Sequence, residues 1–503
     1  MKILSASQIR EVDAYTIQHE PVTSIDLMER AARACFKRML RLVEHDTSVF
    51  VFCGKGNNGG DGLALARMLS DSGFHCITIL VNHTQTFSSD AQQNFNRLKE
   101  KYAAGIIEIN SSADFASIPV ISGAVAVDAL LGTGINKPVE GLLGDVIRFV
   151  NAGFRYIISI DMPSGLFTDQ SASQNKNIVR ASLVLSFQFP KLTFLLPENN
   201  EFVKHFEIIN IGLDTTAIAA QKTSQYYTTG DAIRPLLKPR NKFSHKGTYG
   251  HALLMAGSKG KSGAAIISAK AAMRSGCGRL TVSSNPETIR ALLSQLPEAM
   301  SMESDAEQIE GIDKPENYDA IAFGPGVGFH EDTQHTLKKI LQYYSGKLVI
   351  DADGLTMLSE NKTWLGFLPP ETILTPHPKE FERLCGKQND GFERLHALKQ
   401  FAIKNNCIVV LKGAHTAVAM PDGNTFFNAS GNASLAKAGS GDALTGIILG
   451  LLSRGYTPPQ AALIGVYMHG LAADLYTQKR SAESMLISDV IELLPKAFKQ
   501  LEA

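Results

Sequence analysis

No two cysteines in this chain are spaced as CxxC and no HExxH occurs among its 13 histidines, so neither a redox pair nor a zinc site is legible. The six cysteines (Cys35, Cys53, Cys76, Cys277, Cys385 and Cys407) are scattered, several inside apolar strand-like runs, which predicts buried thiols in a reducing compartment. An excess of either charge is missing as well, since Lys plus Arg and Asp plus Glu each number 49. Without a basic surplus nothing grips a nucleic-acid backbone or an anionic membrane, and the expected partner is a small molecule. Long hydrophobic runs are also lacking. The stretch 443–452 is too short to span a bilayer and is broken by Gly446 and Gly450, whose spacing suits close packing of a buried helix. The first residues, MKILSASQIREVDAYTIQHE, mix acids with apolar residues and read as neither a signal nor a transit peptide. A cytoplasmic protein is expected.

What is present is length and core. At 503 residues and 44% hydrophobic, the chain exceeds what one core usually organises and predicts two domains of roughly 200 to 280 residues. Apolar runs ending in polar or Gly-rich loops alternate with helical stretches: residues 48–54, 76–82, 124–132, 155–165 and 182–189, then 251–258, 278–284, 320–326, 347–355, 373–378 and 407–413. Continuous apolar runs are how strands buried on both faces look, so α/β folds with mostly parallel sheets are predicted. The segment 210–237 breaks the alternation, which puts the boundary near 212–226.

The first half carries KGNNGGDG, Lys55 to Gly62, between a strand and a helix. With Gly54, Gly56 and Gly59 it satisfies GxGxxG, but no acid ends the second strand, where Asn82 and His83 stand instead, and no Walker lysine is present. A phosphate-bearing ligand held in a mode of its own is predicted. The loops DALLGTGINKP (Asp128 to Pro138) and DMPSG (Asp161 to Gly165) also follow strands and would open on the same sheet edge. Asp61, Asp128 and Asp161, with Asn58, are expected to converge on one crevice suited to a hard cation and to proton transfer.

In the second half, NASLAKAGSGDALTG sets Gly439, Ser440 and Gly441 directly ahead of Asp442 at the start of an apolar segment. Bare amides at a helix start make an anion hole, and the carboxylate beside it makes a base. Taken alone, the run fits equally a Gly-rich turn with Asp442 as an ordinary N-cap. GPGVG (Gly324 to Gly328), DADGL (Asp351 to Leu355), PHPKEF (Pro376 to Phe381) and KGAHT (Lys412 to Thr416) all follow strands as well. The two acids of DADGL would point the same way on an extended strand end, and Lys412 would suit a nucleotide phosphate. Together these loops predict a nucleotide-dependent site at the carboxyl edge of a parallel sheet.

HKGTYGHALLMAGS, GPGVG, DADGL, LTPHPKEF, LKGAHT and NASLAKAGSGDALTG, between Ser244 and Gly450, resemble the ADP- or ATP-dependent NAD(P)H-hydrate dehydratases of the ribokinase-like superfamily. KGNNGGDG, DALLGTG and DMPSG resemble the NAD(P)H-hydrate epimerases, the YjeF N-terminal family. Their order resembles the fused repair enzymes of bacteria. The departures are Met162, where Ile is usual, and His415, where Asn is common.

The resemblance implies a Rossmann-like, mostly parallel three-layer sandwich at 1–215 and a ribokinase-like α/β domain at 226–503. The first would interconvert the R and S hydrates of NAD(P)H. There Asn57, Asn58, Gly59, Gly60, Asp61, Gly132, Thr133, Gly134, Ile135, Asn136, Lys137 and Pro138 would hold the dinucleotide, and Asn58, Asp128 and Ser164 a potassium ion, with Asp161 as acid/base on the hydrated ring. The second would dehydrate the S form at the expense of ADP or ATP with Mg2+. Lys412, Gly413, Ala414, His415, Thr416 and Gly441 would contact the nucleotide, and Ala265, Gly326, His377 and Asp442 the substrate, with Asp442 taking the proton. A homo-oligomer is expected. The alternative is a ribokinase-like kinase of a vitamin precursor with an accessory ligand-binding domain; PHPKEF and the complete glycine loops of the first half count against it.

Overall fold

The computed structural model describes every residue except 305–308, 310, 311, 313 and 503. The chain divides into an N-terminal unit, 2–223 with 390–392, and a C-terminal unit, residue 1 with 224–389 and 393–503.

The N-terminal unit is a seven-stranded sheet, parallel throughout, ordered β3-β2-β1-β4-β5-β6-β7. The strands are β1 (Val49–Cys53), β2 (Cys76–Val81), β3 (Ile106–Ile109), β4 (Val125–Ala129), β5 (Tyr156–Ile160), β6 (Leu183–Phe187) and β7 (Phe206–Ile209). Its helices are α1 (Ala6–His19), α2 (Ser24–Met39), α3 (Asn57–Asp71), α4 (Ser89–Tyr102), α5 (Gly141–Gly153) and α6 (Thr215–Ala220). The two faces of β1 show why the layers are three. Val49, Val51 and Cys53 pack with Leu63 and Leu69 of α3 and Met39 of α2, whereas Phe50 and Phe52 pack with Val146, Ile147 and Val150 of α5. The strand order reverses between β1 and β4, so the loops after these two strands part and leave a crevice at the carboxyl edge.

The C-terminal unit is a ten-stranded sheet ordered β11-β10-β9-β12-β13-β14-β15-β16-β17-β8. Its strands are β8 (Gln225–Thr228), β9 (His251–Met255), β10 (Arg279–Ser284), β11 (Met300–Glu303), β12 (Ala320–Phe323), β13 (Lys347–Ile350), β14 (Ile373–Leu374), β15 (Ile408–Leu411), β16 (Ala417–Ala419) and β17 (Thr425–Asn428). Pairing is parallel except where β16 runs antiparallel to β15 and β17. The helices are α7 (Gly230–Ile233), α8 (Ser262–Arg274), α9 (Pro286–Gln295), α10 (Glu331–Tyr343), α11 (Asp353–Glu360), α12 (Pro378–Cys385), α13 (Gly391–Lys404), α14 (Ser440–Ser453), α15 (Pro458–Thr477) and α16 (Ile487–Glu502). The central helix α14 is apolar all round and lies against α8 at backbone contact. A Cβ at Gly446 would fall 2.1 Å from the Ser268 carbonyl oxygen, and one at Gly450 2.4 Å from that of Ala272. The GxxxG spacing thus does what the sequence predicts, and this packing fixes where the first turn of α14 sits.

Every strand expected from an apolar run is present. Six others carry no such run. β3, β7, β8 and β11 are sheet edges, half-exposed or exposed along much of their length, and β16 and β17 form a short hairpin beside one edge. A strand with only one neighbour is not buried on both faces and has no reason to be continuously apolar.

Candidate active sites

The N-terminal crevice is a cavity of about 400 Å³ lined by Gly56, Asn57, Asn58 and Asp61 after β1, by Leu130 to Ile135 after β4, and by Asp161 after β5. α3 begins at Asn57 behind Gly56, which provides no side-chain cap, so its first-turn amides stay open toward the crevice. Glycine is forced here by close approach: a Cβ at Gly59 would lie 1.9 Å from the Gly54 carbonyl oxygen, and one at Gly54 2.1 Å from that of Leu130.

Of the three carboxylates expected to converge, Asp61 and Asp161 line the cavity and Asp128 does not. Asp128 is on β4 itself and fully buried beneath the loops. One carboxylate oxygen accepts from the Ser159 hydroxyl at 2.7 Å and the Ser164 amide at 2.8 Å, and the other accepts from the Ser164 hydroxyl at 2.5 Å. Burial raises its pKa while the Ser164 and Ser159 bonds pull it back. Asn58 Nδ2 donates to the Leu131 carbonyl at 2.9 Å, and the Leu131 amide donates to Ser164 Oγ at 2.9 Å, so Leu131 joins Asn58 to the Ser164–Asp128 pair. Asn58 Oδ1 is buried and has no hydrogen-bond partner.

Asp161 holds a left-handed φ of 62°, uncommon for a residue with a Cβ and a mark of a constrained site. Its carboxylate is ion-paired to Lys191 and accepts from the Phe187 amide at 3.0 Å. Lys191 is fully buried and also donates to Ser186 Oγ at 2.9 Å. Sequence reasoning missed Lys191, because a lysine among apolar residues 189–196 carries no local motif. It also missed Arg10 and Asp13, which reach the cavity from α1. The one available signal was an acid beside the buried face of that helix, formed by Ile9, Val12 and Thr16. Burial and the Asp161 charge push the Asp13 carboxyl up to about 6, with Lys191 pulling the other way. Burial, Asp161 and Asp13 raise Asp61 well above the ordinary range. Gly132 to Ile135 line the cavity, whereas Asn136, Lys137 and Pro138 stand outside its lining. Met162 is fully buried among Leu166, Phe167 and Val184, where any apolar side chain of its size serves.

In the C-terminal unit, Gly439 caps α14 in the left-handed conformation at φ 90° with no side-chain cap, and Asp442 stands in the first turn. The Ser440 amide turns back to the Lys437 carbonyl at 3.3 Å, whereas the Gly441 and Asp442 amides have no acceptor within the helix and present an anion site. Burial first, then the charge of Asp351, push the Asp442 carboxyl up to about 6 against the pull of Lys412. Lys412 directly follows β15 and turns inward: its ammonium is 3.0 Å from Asp351 and 3.9 Å from Glu380. Thr445 of α14 donates to the second oxygen of Asp351 at 2.8 Å. Burial opposes the charge on both partners, but each holds the other ionised, leaving Asp351 below and Lys412 above its ordinary range. The lysine expected on a nucleotide phosphate is therefore tied to carboxylates below the anion hole, where a Cβ on Gly441 would come 3.2 Å from its nitrogen.

The two acids of DADGL do not share a direction. Ala352 takes φ 48°, ending the extended stretch, so Asp351 faces Lys412 whereas Asp353 opens α11, pairs with Lys261 at 3.0 Å and accepts from the Gly328 amide at 2.9 Å. His377 is exposed and caps α12: its Nδ1 accepts from the Lys379 and Glu380 amides at 3.1 and 3.3 Å, and Glu380 returns the bond to the His377 amide at 2.7 Å. Glu380, unnoticed in the sequence, thus joins the cap to Lys412. Ala265 is fully buried against Gly257, while the half-buried Ala264 is the residue facing Gly326. In the β15–β16 hairpin, Thr416 Oγ1 donates to the Gly413 carbonyl at 3.0 Å, Ala414 is exposed, and His415 Nδ1 is 3.2 Å from the Asn428 carbonyl oxygen, its pKa lowered by burial. His469 of α15, buried, lies 3.4 Å from Ser440 Oγ; burial and then Lys412 bring its pKa down to about 4, so it is neutral.

A doubly wound parallel unit with open amides at its switch point, taken together with a mostly parallel unit that has a raised acid at a helix start, defines a two-site α/β enzyme of phosphate-bearing small molecules. Known proteins narrow this. Residues 24–193 match the family model of the YjeF-related protein N-terminus, and residues 252–496 that of NAD(P)H-hydrate dehydratase. The bifunctional NAD(P)H-hydrate repair enzyme Nnr of Moorella thermoacetica is 30% identical over 519 residues, covering 100% of this chain and 97% of its own length. That of Escherichia coli is 31% identical over 486 residues, covering 94% and 90%. The crystal structure of the ADP/ATP-dependent NAD(P)H-hydrate dehydratase of Bacillus subtilis, co-crystallised with ATP/Mg2+, superposes with a TM-score of 0.50 at 35% identity, covering 55% of this chain and 99% of that one. The chain belongs to the family of bifunctional NAD(P)H-hydrate repair enzymes.

Proposed function

We propose that the two sites divide the family's two reactions between them. This chain is an NAD(P)H-hydrate epimerase and an ADP-dependent (S)-NAD(P)H-hydrate dehydratase. The N-terminal unit, 1–215 in sequence terms, exchanges the R and S hydrates, and the C-terminal unit, 226–503, returns the S hydrate to NAD(P)H.

In the C-terminal site the raised carboxyl of Asp442 is the observation that carries the reading. Ionised, it accepts the proton of the substrate hydroxyl as that oxygen attacks the terminal phosphoryl group of the nucleotide. The open amides of Gly441 and Asp442 hold the charge that spreads over the transferring group. The hydroxyl, whose departure as hydroxide is poor, thereby becomes a phosphate ester, which leaves as inorganic phosphate while the neighbouring ring carbon loses a proton to water, restoring the ring double bond. Gly413 to Thr416 and Gly441 bound the nucleotide, with Lys412 setting the field from below. Gly326, His377 and the α8 surface at Ala264 and Ala265 bound the hydrated dinucleotide, Ala264 offering the accessible side chain. ADP is the proposed donor over ATP. Among the described residues no group of three or more His, Cys, Asp or Glu is placed to hold a metal ion, and Mg2+ is proposed to come on the nucleotide phosphates.

In the N-terminal crevice the α3 amides and Gly132 to Ile135 bind the dinucleotide phosphates, and Asp161, held by Lys191, contacts the hydrated ring. Potassium fits the oxygens of Asn58, Asp128 and Ser164: the orphaned Asn58 Oδ1 calls for a positive partner, and potassium takes oxygen ligands of this kind. When bound it would neutralise part of the negative charge gathered there. All six cysteines are free, in keeping with a reducing cytoplasm, and among the described residues no helix is long and apolar enough to cross a membrane. A homo-oligomer is proposed, to be read by light scattering.

The test is direct. Hydrated NADH mixed with this protein and ADP regains the absorbance of the reduced nicotinamide; a stable phosphorylated product with no cofactor recovered would overturn the dehydratase reading.

A further inference from the structure

Beyond Asp161, the N-terminal crevice holds a carboxyl group that no motif announced. Asp13 projects from α1 into the cavity that Asp161 and Asp61 also line. Its side chain is half-buried, and among the described residues no ion pair or hydrogen bond to it is formed. Asp161 is in the opposite state, ion-paired to a fully buried lysine and accepting an amide, an arrangement that suits a carboxylate and not a carboxylic acid. Asp61 is a full turn inside α3, behind the open amides on the phosphate side of the crevice. The cavity therefore presents one committed base and, from α1, one uncommitted acid.

The substrate chemistry asks for both. Water adds to the enamine of a dihydronicotinamide so that the hydroxyl ends on the carbon bonded to the ring nitrogen. Inverting that carbon through the hydroxyl needs no carbon–hydrogen bond to break. We propose that Asp13 is the general acid of epimerisation, working against Asp161 as general base. Asp13 gives its proton to the hydroxyl, the carbon–oxygen bond breaks, water departs, and the nitrogen lone pair forms the iminium. Water adding from the opposite face makes the new carbon–oxygen bond and loses its proton to the Asp161 carboxylate. One water leaves and one enters, so the sum is a change of hand alone; solvent protons reset the pair. This rests on the N-terminal crevice being the epimerase site.

The experiment uses the full chain with no nucleotide, starting from the R hydrate of NADH and following its conversion to S above the spontaneous rate. Asp13→Asn, which is isosteric and severs no ion pair, is expected to slow conversion about 100-fold or more while hydrate affinity and thermal midpoint stay near the parent's. Asp13→Glu should recover part of the rate. In 18O-labelled water each enzymatic inversion should carry one solvent oxygen into the hydrate. An Asp13→Asn protein that matches the parent while Asp161→Ala is inactive would overturn the role of Asp13 and spare the epimerase reading. Parental rates in both variants would overturn that reading itself. Inversion with retention of the original oxygen would sink the acid-assisted step, even if Asp13→Asn failed to fold. Loss of rate in Asp61→Asn and not in Asp13→Asn would transfer the acid to α3.

Discussion

Both sites are built from a carboxylate locked to a lysine and a second acid raised to about 6: Asp161 with Lys191 beside Asp13, and Asp351 with Lys412 beside Asp442. They differ in where the raised acid stands. Asp442 sits in the first turn of α14 among open amides, so a proton acceptor and an anion site occupy one turn of helix. Asp13 sits on α1 and the open amides on α3, which leaves phosphate recognition and proton transfer on separate elements. The first layout suits phosphoryl transfer, where proton removal and phosphoryl charge arise together. The second suits proton traffic on a ring whose phosphates serve only as handles.

The widest break between the two sites is by single residue. Asp442→Ala should lower dehydration about 100- to 10,000-fold and leave epimer exchange intact, while Asp161→Ala should do the reverse. Separate assays of recovered NADH and of R-to-S exchange decide it, and loss of both activities in a folded variant would contradict the division of labour.

Acid should discriminate next. With the Asp442 carboxyl at about 6, the ionised fraction at pH 5 is about one tenth, so dehydration should fall about tenfold between its plateau and pH 5. The base is lost as pH falls, so the limb must lie on the acid side. In Asp442→Glu it should move with the new carboxyl; an unmoved limb would assign it elsewhere.

Much of this was legible beforehand, and the illegible part has a common cause. Runs buried on both faces announced the central strands, and glycines forced by close approach, such as Gly59 against Gly54 and Gly446 against Ser268, announced the loops and the buried helix. Asp13, Lys191 and Glu380 were silent because each acts on a residue far along the chain or through a cap, and one-dimensional spacing does not show which distant acid a buried lysine meets. The two acids of DADGL misled for a related reason: the positive φ of Ala352, which turns Asp353 toward Lys261, leaves no trace in a non-glycine residue.

The lysines give a stability contrast. Lys191 is fully buried, so Lys191→Met leaves the Asp161 carboxylate without its partner and should cost about 3 to 5 kcal/mol, readable as a lower midpoint in urea. The Lys412 side chain keeps 23% of its surface in contact with water, and Thr445 still serves Asp351, so Lys412→Met should cost less. Equal losses would mean the two pairs are not buried differently in solution.

The smallest effect concerns Asp442 as a load on the fold. Its folded pKa, about 6, stands above the ordinary 3.8, so the folded protein holds that proton more tightly than the unfolded chain. Stability from this group is therefore complete below about pH 4, declines as pH rises toward 6, and is absent above it. Asp442→Asn removes the cost of ionising the carboxyl and should stabilise the C-terminal unit at pH 7 to 8 by about 1 to 3 kcal/mol, with little effect at pH 4. Thermal midpoints at both pH values measure it. A variant destabilised equally at both would mean that the carboxylate is bonded within the fold, and an aspartate so bonded would be a helix cap, not the base that the dehydratase reaction needs.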